Sequence, residues 1–172
     1  MSELIEVLSK EDIARSVTEV ASTISEDYQG KNLALVGALK GAFIFMADLA
    51  REISVPVQIG FLGVSSYGKS SESSGDVRVT KEIDLDVSGM DVLVVEDIVD
   101  TGITLGFIME YLKGCGARSV KVCALLDKKE RRAVEAFVDY ACHTIPDGFL
   151  VGYGLDYAEQ YRNLPGIFNL KM

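Results

Sequence analysis

The sequence predicts an α/β fold in which a mostly parallel central sheet is flanked by helices. Short apolar runs with the length of buried strands alternate along the chain with segments whose apolar residues recur at helical spacing. Strands that alternate with helices form parallel sheets, because each helix carries the chain back across one face of the sheet. Ligands of such sheets bind beyond the carboxyl ends of the strands, so we expect the functional residues there.

The first third of the chain predicts a helix, a buried strand and a second helix. Ser9 to Asp12 resembles a capping box with Asp in place of the usual Glu, and apolar residues follow at helical spacing. This helix is expected to end near Gly30. An apolar run over Asn32 to Leu39 predicts the strand, and one apolar face over Ala42 to Ile53 predicts the second helix.

The rest of the chain predicts further strands, a loop and a third helix. Apolar or alternating runs predict strands over Val55 to Val64, Val77 to Thr80, Asp91 to Val95, Ser119 to Leu126 and Tyr140 to Ile145. Ser65 to Asp76 contains six serines and two glycines without apolar periodicity, which predicts a long mobile loop. A helix is expected from about Thr104 to Lys113, because one of its faces is apolar and two glycines follow it.

Composition and charge limit the classes of function. A chain of 172 residues is expected to form a single domain over residues 1–172. The net charge of −9 argues against nucleic acid as a partner, since binding a phosphate backbone needs a dense basic surface. The apolar stretches are much shorter than the roughly 18 residues that span a bilayer, and the first residues do not resemble a secretory signal. We therefore expect a cytoplasmic protein with no nucleic-acid or membrane partner.

Cysteine and histidine chemistry has little support in the sequence. Cys115, Cys123 and Cys142 lack the paired spacing of zinc sites, so they are expected to be buried, unreactive thiols. His143 is the only histidine, and a nucleophile activated by histidine would have no other base. Because His143 lies in a predicted strand, we expect it to have a structural role.

A phosphate-binding pattern occurs at Gly63 to Ser70, which matches the P-loop consensus and favours, as an alternative, an ATP- or GTP-dependent kinase. A P-loop holds phosphates with the first-turn N–H groups of a helix that begins at its Gly-Lys-Ser. Here the following residues, Ser71 to Arg78, form helices poorly and provide no apolar face. The match is therefore expected to be accidental.

A second pattern, over residues 91–105, combines a strand, an acidic turn and a helix start. The apolar strand carries Glu96 and Asp97 to the rim of the sheet, where their carboxylates can bind the two hydroxyls of a ribose, directly or through a metal. Asp100 to Thr104 then wraps into the helix start, so that backbone N–H groups and threonine hydroxyls can hold a phosphate. An ordinary capped turn would explain Asp100 and Thr101 but not the two acids. The segment therefore predicts a site for a phosphorylated ribose.

These residues resemble the type I phosphoribosyltransferases and, within them, the hypoxanthine-guanine phosphoribosyltransferases. The resemblance extends from Leu39-Lys40-Gly41 to Arg162. It implies the fold of that family, with a small hood over the active site. It also implies that Leu39-Lys40-Gly41 is the pyrophosphate loop, with a cis peptide before Lys40, and that Arg162 binds pyrophosphate. Ser66 and Tyr67 match the start of the flexible loop that closes over the reaction centre.

The resemblance assigns roles on the other sides of the site as well. Lys128 would donate to the 6-oxo group of a purine. The hood would consist of Ile145 to Tyr157, in which Phe149 would stack on the base and Leu150 would contact the base through its backbone. The phosphate-binding positions would be Thr101, Gly102, Ile103 and Thr104. Ile103 stands where certain relatives carry Lys, so this loop would bind phosphate with N–H and hydroxyl donors only.

The reaction implied is purine salvage, in which a phosphoribosyl group passes from 5-phosphoribosyl 1-diphosphate to hypoxanthine or guanine. The products would be IMP or GMP and pyrophosphate. Glu96, Asp97 and Asp156 would hold Mg²⁺, and Asp100 would take or hold the purine N7 proton. A homodimer or homotetramer is expected. Besides the kinase, a non-catalytic regulator that senses a phosphoribosyl ligand stays open, since fold alone does not decide function.

Overall fold

The computed structural model describes residues 2–67, 76–145 and 147–172. Its strands and α-helices, in chain order, are β1 (Glu3–Leu8), α1 (Lys10–Asp27), β2 (Leu33–Leu39), α2 (Phe43–Glu52), β3 (Val57–Tyr67), β4 (Asp76–Lys81), β5 (Asp91–Val99), α3 (Ile103–Gly114), β6 (Ser119–Asp127), β7 (Tyr140–Thr144), β8 (Leu150–Val151) and β9 (Ile167–Lys171). A short 3₁₀-helix over Lys129–Arg131 follows β6. No described helix combines the length and the apolar character that crossing a membrane requires.

The central sheet has the predicted mostly parallel arrangement. Within the described ranges it contains six strands in the order β4-β3-β2-β5-β6-β7, and only the edge pair β3–β4 is antiparallel. The strand β5 lies in the middle, pairing with β2 on one side and β6 on the other. The carboxyl ends of β2, β5 and β6 therefore share one edge of the sheet, as the α/β fold class requires.

Helices cover both faces of this sheet, which explains the continuous apolar runs of its strands. On one face α1 and α2 pack over Leu93 and Val95 of β5, and on the other α3 packs over Val92 and Val94. The predicted capping box of α1 is present. The Ser9 hydroxyl accepts a hydrogen bond from the Asp12 N–H, and the Asp12 carboxylate accepts one from the Ser9 N–H, both at 3.0 Å.

A separate antiparallel sheet, which we call the hood sheet, contains β1, β9 and β8 among the described residues. It joins the two ends of the chain, with Glu3 opposite Lys171 and Glu6 opposite Phe168. The β8–β9 pair holds the segment that carries Phe149 and Leu150. The sequence did not predict these strands individually, although the resemblance implied a hood.

The predicted bounds of the serine-rich loop and of strand β5 are wrong. The loop expected over Ser65 to Asp76 is shorter at both ends, because residues 65–67 extend β3 and Asp76 begins β4. Antiparallel pairing satisfies the backbone of these polar residues, with Tyr67 opposite Asp76. The rest of the predicted loop, residues 68–75, lies outside the described residues. Similarly, β5 continues beyond the predicted Val95 to Val99, because β6 pairs with it along its whole length.

Candidate active site

Three segments that the sequence singled out meet at the carboxyl edge of the central sheet. Lys40 follows β2, Asp100 follows β5 and Lys128 follows β6. The ends of β5 and β6 are in register, with Val99 opposite Asp127, and the Lys128 N–H donates to the Val99 carbonyl at 2.9 Å. The parallel topology therefore brings cationic and acidic residues from distant parts of the chain to one cleft. The Leu39–Lys40 peptide bond is cis.

Glu96 and Asp97 lie side by side in the last part of β5. Burial and the neighbouring Asp97 charge raise the pKa of Glu96 well above its usual value. Burial also raises the pKa of Asp97, against a hydrogen bond from the Ile98 N–H at 2.8 Å that stabilises the charged form. The Asp97 carboxylate lies against Gly41, where an added β-carbon would be 1.8 Å from Oδ2. Asp97 thus faces the Lys40-Gly41 turn.

The turn between β5 and α3 surrounds a cavity of about 100 Å³. Its lining includes Asp100, Thr101, Gly102 and Thr104, together with Glu96. Gly102 has a φ of +86°, and a β-carbon there would be 2.7 Å from Ala136 Cβ, so the turn requires glycine. The N-cap residue Gly102 has no side chain to cap α3, and the Ile103 N–H donates to Thr101 Oγ1 at 3.4 Å. The other first-turn N–H groups of this twelve-residue helix are available to an anion in the cavity.

The Asp100 carboxylate combines one ion pair with one unpartnered oxygen. Its Oδ2 lies 3.4 Å from the half-exposed Arg131 guanidinium. Its Oδ1 is buried and has no hydrogen-bond partner among the described residues. A buried carboxylate oxygen without a donor is costly, so this atom is poised to accept a proton or a hydrogen bond from a ligand.

On the opposite side of the cleft, Lys40 and Arg162 are joined by an acidic residue. Lys40 Nζ lies 2.9 Å from Glu159 Oε2, and Arg162 Nη2 lies 3.1 Å from Glu159 Oε1. Arg162 also lies 3.4 Å from an Asp156 oxygen and donates to the Gly154 carbonyl at 2.6 Å. Its Nε is buried with no partner in the described ranges. The turn that carries these residues packs on the Lys40-Gly41 turn, since a β-carbon at Gly154 would be 2.2 Å from the Gly41 carbonyl oxygen.

The third side of the cleft carries Lys128 and the hood. Lys128 is buried, and its Nζ donates to the Gly148 carbonyl at 2.8 Å and lies 3.5 Å from the Asp147 carboxylate. Phe149 is 45% exposed, and its ring meets the Tyr157 ring edge-on with centroids 5.4 Å apart. An exposed aromatic ring near a buried ammonium group fits a planar, polar ligand.

Some residues of the cleft were missed by the sequence analysis. Arg132 is mostly buried and joins three segments, because it pairs with the Asp127 carboxylate and donates to the carbonyls of Asp100 (3.2 Å) and Ala136 (2.6 Å). It thereby ties the end of β6 to the turn before α3. Glu159 and Arg131 were missed as well. A run of adjacent charges after β6 was the only local signal for the two arginines.

The predicted flexible-loop residues and the P-loop pattern are not part of the described cleft. The side chains of Ser66 and Tyr67 lie outside the described residues, as do Pro146 and the last part of the P-loop pattern, Gly68, Lys69 and Ser70. The first part of that pattern belongs to β3 as a paired strand, which contradicts a phosphate-binding loop there. A cavity of about 410 Å³ lies between α1, α2 and residues 163–165 and does not contain the acidic pair.

Comparison with known proteins identifies the family. The family described as "Phosphoribosyl transferase domain" matches residues 5–158. The chain belongs to the phosphoribosyl transferase domain family. A hypoxanthine-guanine phosphoribosyltransferase of Streptococcus agalactiae is 48% identical over 95% of this chain and 91% of its own.

Solved structures show the same fold. A hypoxanthine phosphoribosyltransferase of Staphylococcus aureus has a TM-score of 0.93 at 44% identity, covering 96% of this chain and 90% of its own. A hypoxanthine-guanine phosphoribosyltransferase of Bacillus anthracis has a TM-score of 0.93 at 40% identity, covering both chains completely. The type I phosphoribosyltransferase fold predicted from the sequence is therefore confirmed.

Proposed function

We propose that this phosphoribosyl transferase domain is a purine salvage enzyme. It transfers the 5-phosphoribosyl group of 5-phosphoribosyl 1-diphosphate to hypoxanthine or guanine and releases IMP or GMP and pyrophosphate. The observation that carries the proposal is the convergence, at one edge of the sheet, of the acidic pair, the phosphate-sized cavity before α3 and the cations Lys40 and Arg162. Relatives at 44–48% identity over most of the chain carry the hypoxanthine-guanine name.

The 5′-phosphate, the ribose and the diphosphate of 5-phosphoribosyl 1-diphosphate bind at successive positions along the cleft. The 5′-phosphate enters the cavity before α3, where first-turn N–H groups and the hydroxyls of Thr101 and Thr104 donate to it. The ribose hydroxyls lie at Glu96 and Asp97. Lys40 and Arg162, the latter with its unpartnered Nε, bind the diphosphate and stabilise the charge that grows on it as the glycosidic bond breaks. Positioning supplies the rest of the acceleration.

The purine lies between Asp100 and the hood. Asp100 Oδ1, which has no donor among the described residues, accepts the N7 proton as the purine nitrogen attacks. Lys128 donates to the 6-oxo group, Phe149 stacks on the ring, and Leu150 contacts it through its backbone. Ser66 and Tyr67 are assigned to the loop that excludes water from the activated ribose.

Magnesium is the metal that these residues fit. No group of three or more histidine, cysteine or acidic side chains converges into a metal cage within the described ranges. Mg²⁺ needs no such cage, because it binds one or two carboxylates together with substrate phosphates and water. Of the three predicted ligands, either the adjacent pair Glu96 and Asp97 or Asp156 would hold an ion together with substrate phosphates and water, and the ion would supply neutralisation of phosphate charge. A single domain over residues 1–172, a cytoplasmic location and a homodimer or homotetramer stay predictions.

The test is a panel of purines. The protein is incubated with 5-phosphoribosyl 1-diphosphate, magnesium and hypoxanthine, guanine, xanthine or adenine in turn, and released pyrophosphate is measured. Pyrophosphate with the first two bases, and none without a base, is the expected result. Release of pyrophosphate that does not depend on a purine would contradict the proposal, and so would ATP-dependent phosphorylation of a nucleoside.

A further inference from the structure

Glu159 occupies the place between the two cations assigned to pyrophosphate. One of its carboxylate oxygens lies 2.9 Å from Lys40 Nζ and the other lies 3.1 Å from Arg162 Nη2. Lys40 and Glu159 are 119 residues apart in the sequence, so this bridge joins the turn after β2 to the turn between Tyr157 and Gln160 that follows the hood segment. A carboxylate that offers one oxygen to each cation imitates the way in which a phosphate group would bridge them.

The backbone around Glu159 is folded to present this carboxylate. Glu159 and Ala158 both have positive φ, +62° and +51°, which is uncommon for residues other than glycine. The Glu159 N–H donates to Asp156 Oδ2 at 2.9 Å, and Tyr157 and Gln160 pair across the turn. Such a conformation persists only where the surrounding contacts hold it, and it frequently accompanies function.

The charge of Glu159 is fixed by its partners. Hydrogen bonds from Lys40 and Arg162 hold the pKa of its carboxyl below the usual value. A diphosphate that approaches Lys40 and Arg162 therefore meets a carboxylate that already binds both of them. The cations can donate fully to the diphosphate only after Glu159 has left them.

We propose that Glu159 is a positioning residue that takes the place of pyrophosphate between turnovers and weakens the binding of this product. The inference rests on the proposed function, because it assigns Lys40 and Arg162 to the leaving group. It adds that Glu159 competes with pyrophosphate for Lys40 and Arg162. A negative charge that returns to the two cations opposes retention of pyrophosphate, so product release is faster than it would be with the cations alone.

A purely structural bridge would have a different consequence. The side chains of Lys40 and Glu159 are 68% and 63% exposed, and exposed ion pairs contribute little to stability. If the bridge only held the hood in place, removing it would leave pyrophosphate binding unchanged or weaken it. If Glu159 competes with pyrophosphate, removing its charge strengthens binding. Whether pyrophosphate binding becomes tighter or weaker when the Glu159 charge is removed therefore distinguishes the two roles.

The experiment is calorimetric titration of the full chain with inorganic pyrophosphate in the presence of magnesium. Glu159→Gln and Glu159→Ala are compared with the wild type, and Glu110→Gln is the matched control, because it also removes a carboxylate from an exposed ion pair, on α3. We expect pyrophosphate binding to become tighter by up to about fivefold in both Glu159 variants, the range that exposed ion pairs allow. Pyrophosphate should also become a stronger product inhibitor by a similar factor.

Unchanged or weaker pyrophosphate binding in the Glu159 variants would overturn the inference. If purine-dependent transfer by the wild type is then normal, the proposed function stands and only the role of Glu159 is lost. A wild type that binds no pyrophosphate and shows no purine-dependent transfer would overturn both. Thermal unfolding of each variant accompanies the titration, and a folded variant with tighter binding supports the inference.

Discussion

The Asp97 carboxylate lies so close to Gly41 that a β-carbon on that glycine would be 1.8 Å from Asp97 Oδ2. Asp97 and the Lys40-Gly41 turn are therefore in direct contact, and glycine is required at position 41 for a reason that concerns the site. The atom that a side chain would meet is the free end of Asp97, which can rotate away. A β-carbon at position 41 can therefore be accommodated by the fold, but only if the Asp97 carboxylate moves out of its place in the site.

Gly41→Ala should consequently impair activity more than stability. Displacing the Asp97 carboxylate by about 1 Å can cost on the order of 10²-fold in kcat/KM, because misplaced groups no longer meet the transition state. The loss in unfolding free energy should stay within about 1–3 kcal/mol, as for other overpacked sites. Steady-state kinetics with 5-phosphoribosyl 1-diphosphate and thermal unfolding measure the two effects.

Gly114→Ala is the control for this substitution, because nothing lies within 4 Å of the position where its β-carbon would be. It should leave both activity and unfolding nearly unchanged. Near-normal kcat/KM in Gly41→Ala would show that the position of the Asp97 carboxylate does not matter, and this would remove Asp97 from the site.

The elements around the site could be predicted from the sequence because local patterns determine them. β2 and β5 are buried on both faces and appear as continuous apolar runs, and α1 begins at a local capping box. The hood strands could not be predicted in the same way. β8 has only two residues, and β1 pairs with β9 from the other end of the chain while much of its surface is exposed. Such strands depend on partners that no local pattern reveals.

The residues of the site likewise differ in whether a local sequence pattern could predict them. The turn from Glu96 to Thr104 is continuous, so its residues could be assigned together from a single segment. The bridge of Lys40, Glu159 and Arg162 depends on how the hood packs against the turn after β2. No periodicity predicts that packing. For the same reason the contact of Arg132 with the Asp100 carbonyl became evident only in the folded chain.

Asp100→Asn should lower turnover far more than it weakens substrate binding. The substitution keeps the size and polarity of the side chain but removes its ability to take a proton at Oδ1. General acid–base catalysis contributes typically about 10²–10⁴-fold, and we expect a loss of kcat in this range. The measurement is kcat with hypoxanthine together with the affinity for 5-phosphoribosyl 1-diphosphate from equilibrium titration.

Asp86→Asn serves as its control, because Asp86 is exposed and only caps the Ser88 N–H in a surface turn. This variant should behave as the wild type. Turnover of Asp100→Asn close to normal would show that the carboxylate does not act as a base, whatever its position in the cleft.

His143 should make stability depend on pH although it has no part in catalysis. Burial lowers the pKa of His143, in spite of the opposing charges of Asp12 and Glu19. Its Nε2 lies 2.9 Å from Ser16 Oγ, and that hydroxyl donates to the Ile13 carbonyl. Below about pH 6.5, the ordinary histidine pKa, the unfolded chain binds the proton more readily than the folded one. Stability must therefore fall as the pH falls through this range.

Chemical denaturation of the wild type and of His143→Gln between about pH 7 and pH 5 measures this contribution. The variant should lose less stability on acidification than the wild type. Its kcat at neutral pH should stay close to normal, since no histidine-activated nucleophile is involved. Equal pH dependence in the two proteins would contradict the assigned protonation, and a large loss of kcat would give His143 a catalytic role.

Lys128 should determine which purines are used. Its buried ammonium group donates to the Gly148 carbonyl at 2.8 Å and has further donors for a ligand. It can satisfy the 6-oxo acceptor of hypoxanthine or guanine, but it meets another donor in the 6-amino group of adenine. Sites that hydrogen-bond a substrate group can reject the wrong partner by about 10⁴–10⁵-fold, because their own polar groups are left unpaired. The wild type should therefore use 6-oxopurines and not adenine.

Lys128→Gln replaces the ammonium group with an amide that can rotate to donate or to accept. It should lower kcat/KM for hypoxanthine and narrow the gap between hypoxanthine and adenine. The exposed neighbour Lys129 provides the control, and Lys129→Gln should keep the wild-type preference. The values of kcat/KM for hypoxanthine, guanine and adenine are measured for all three proteins. Efficient use of adenine by the wild type would remove Lys128 as the base-selecting residue, although the phosphoribosyl side of the site would be unaffected.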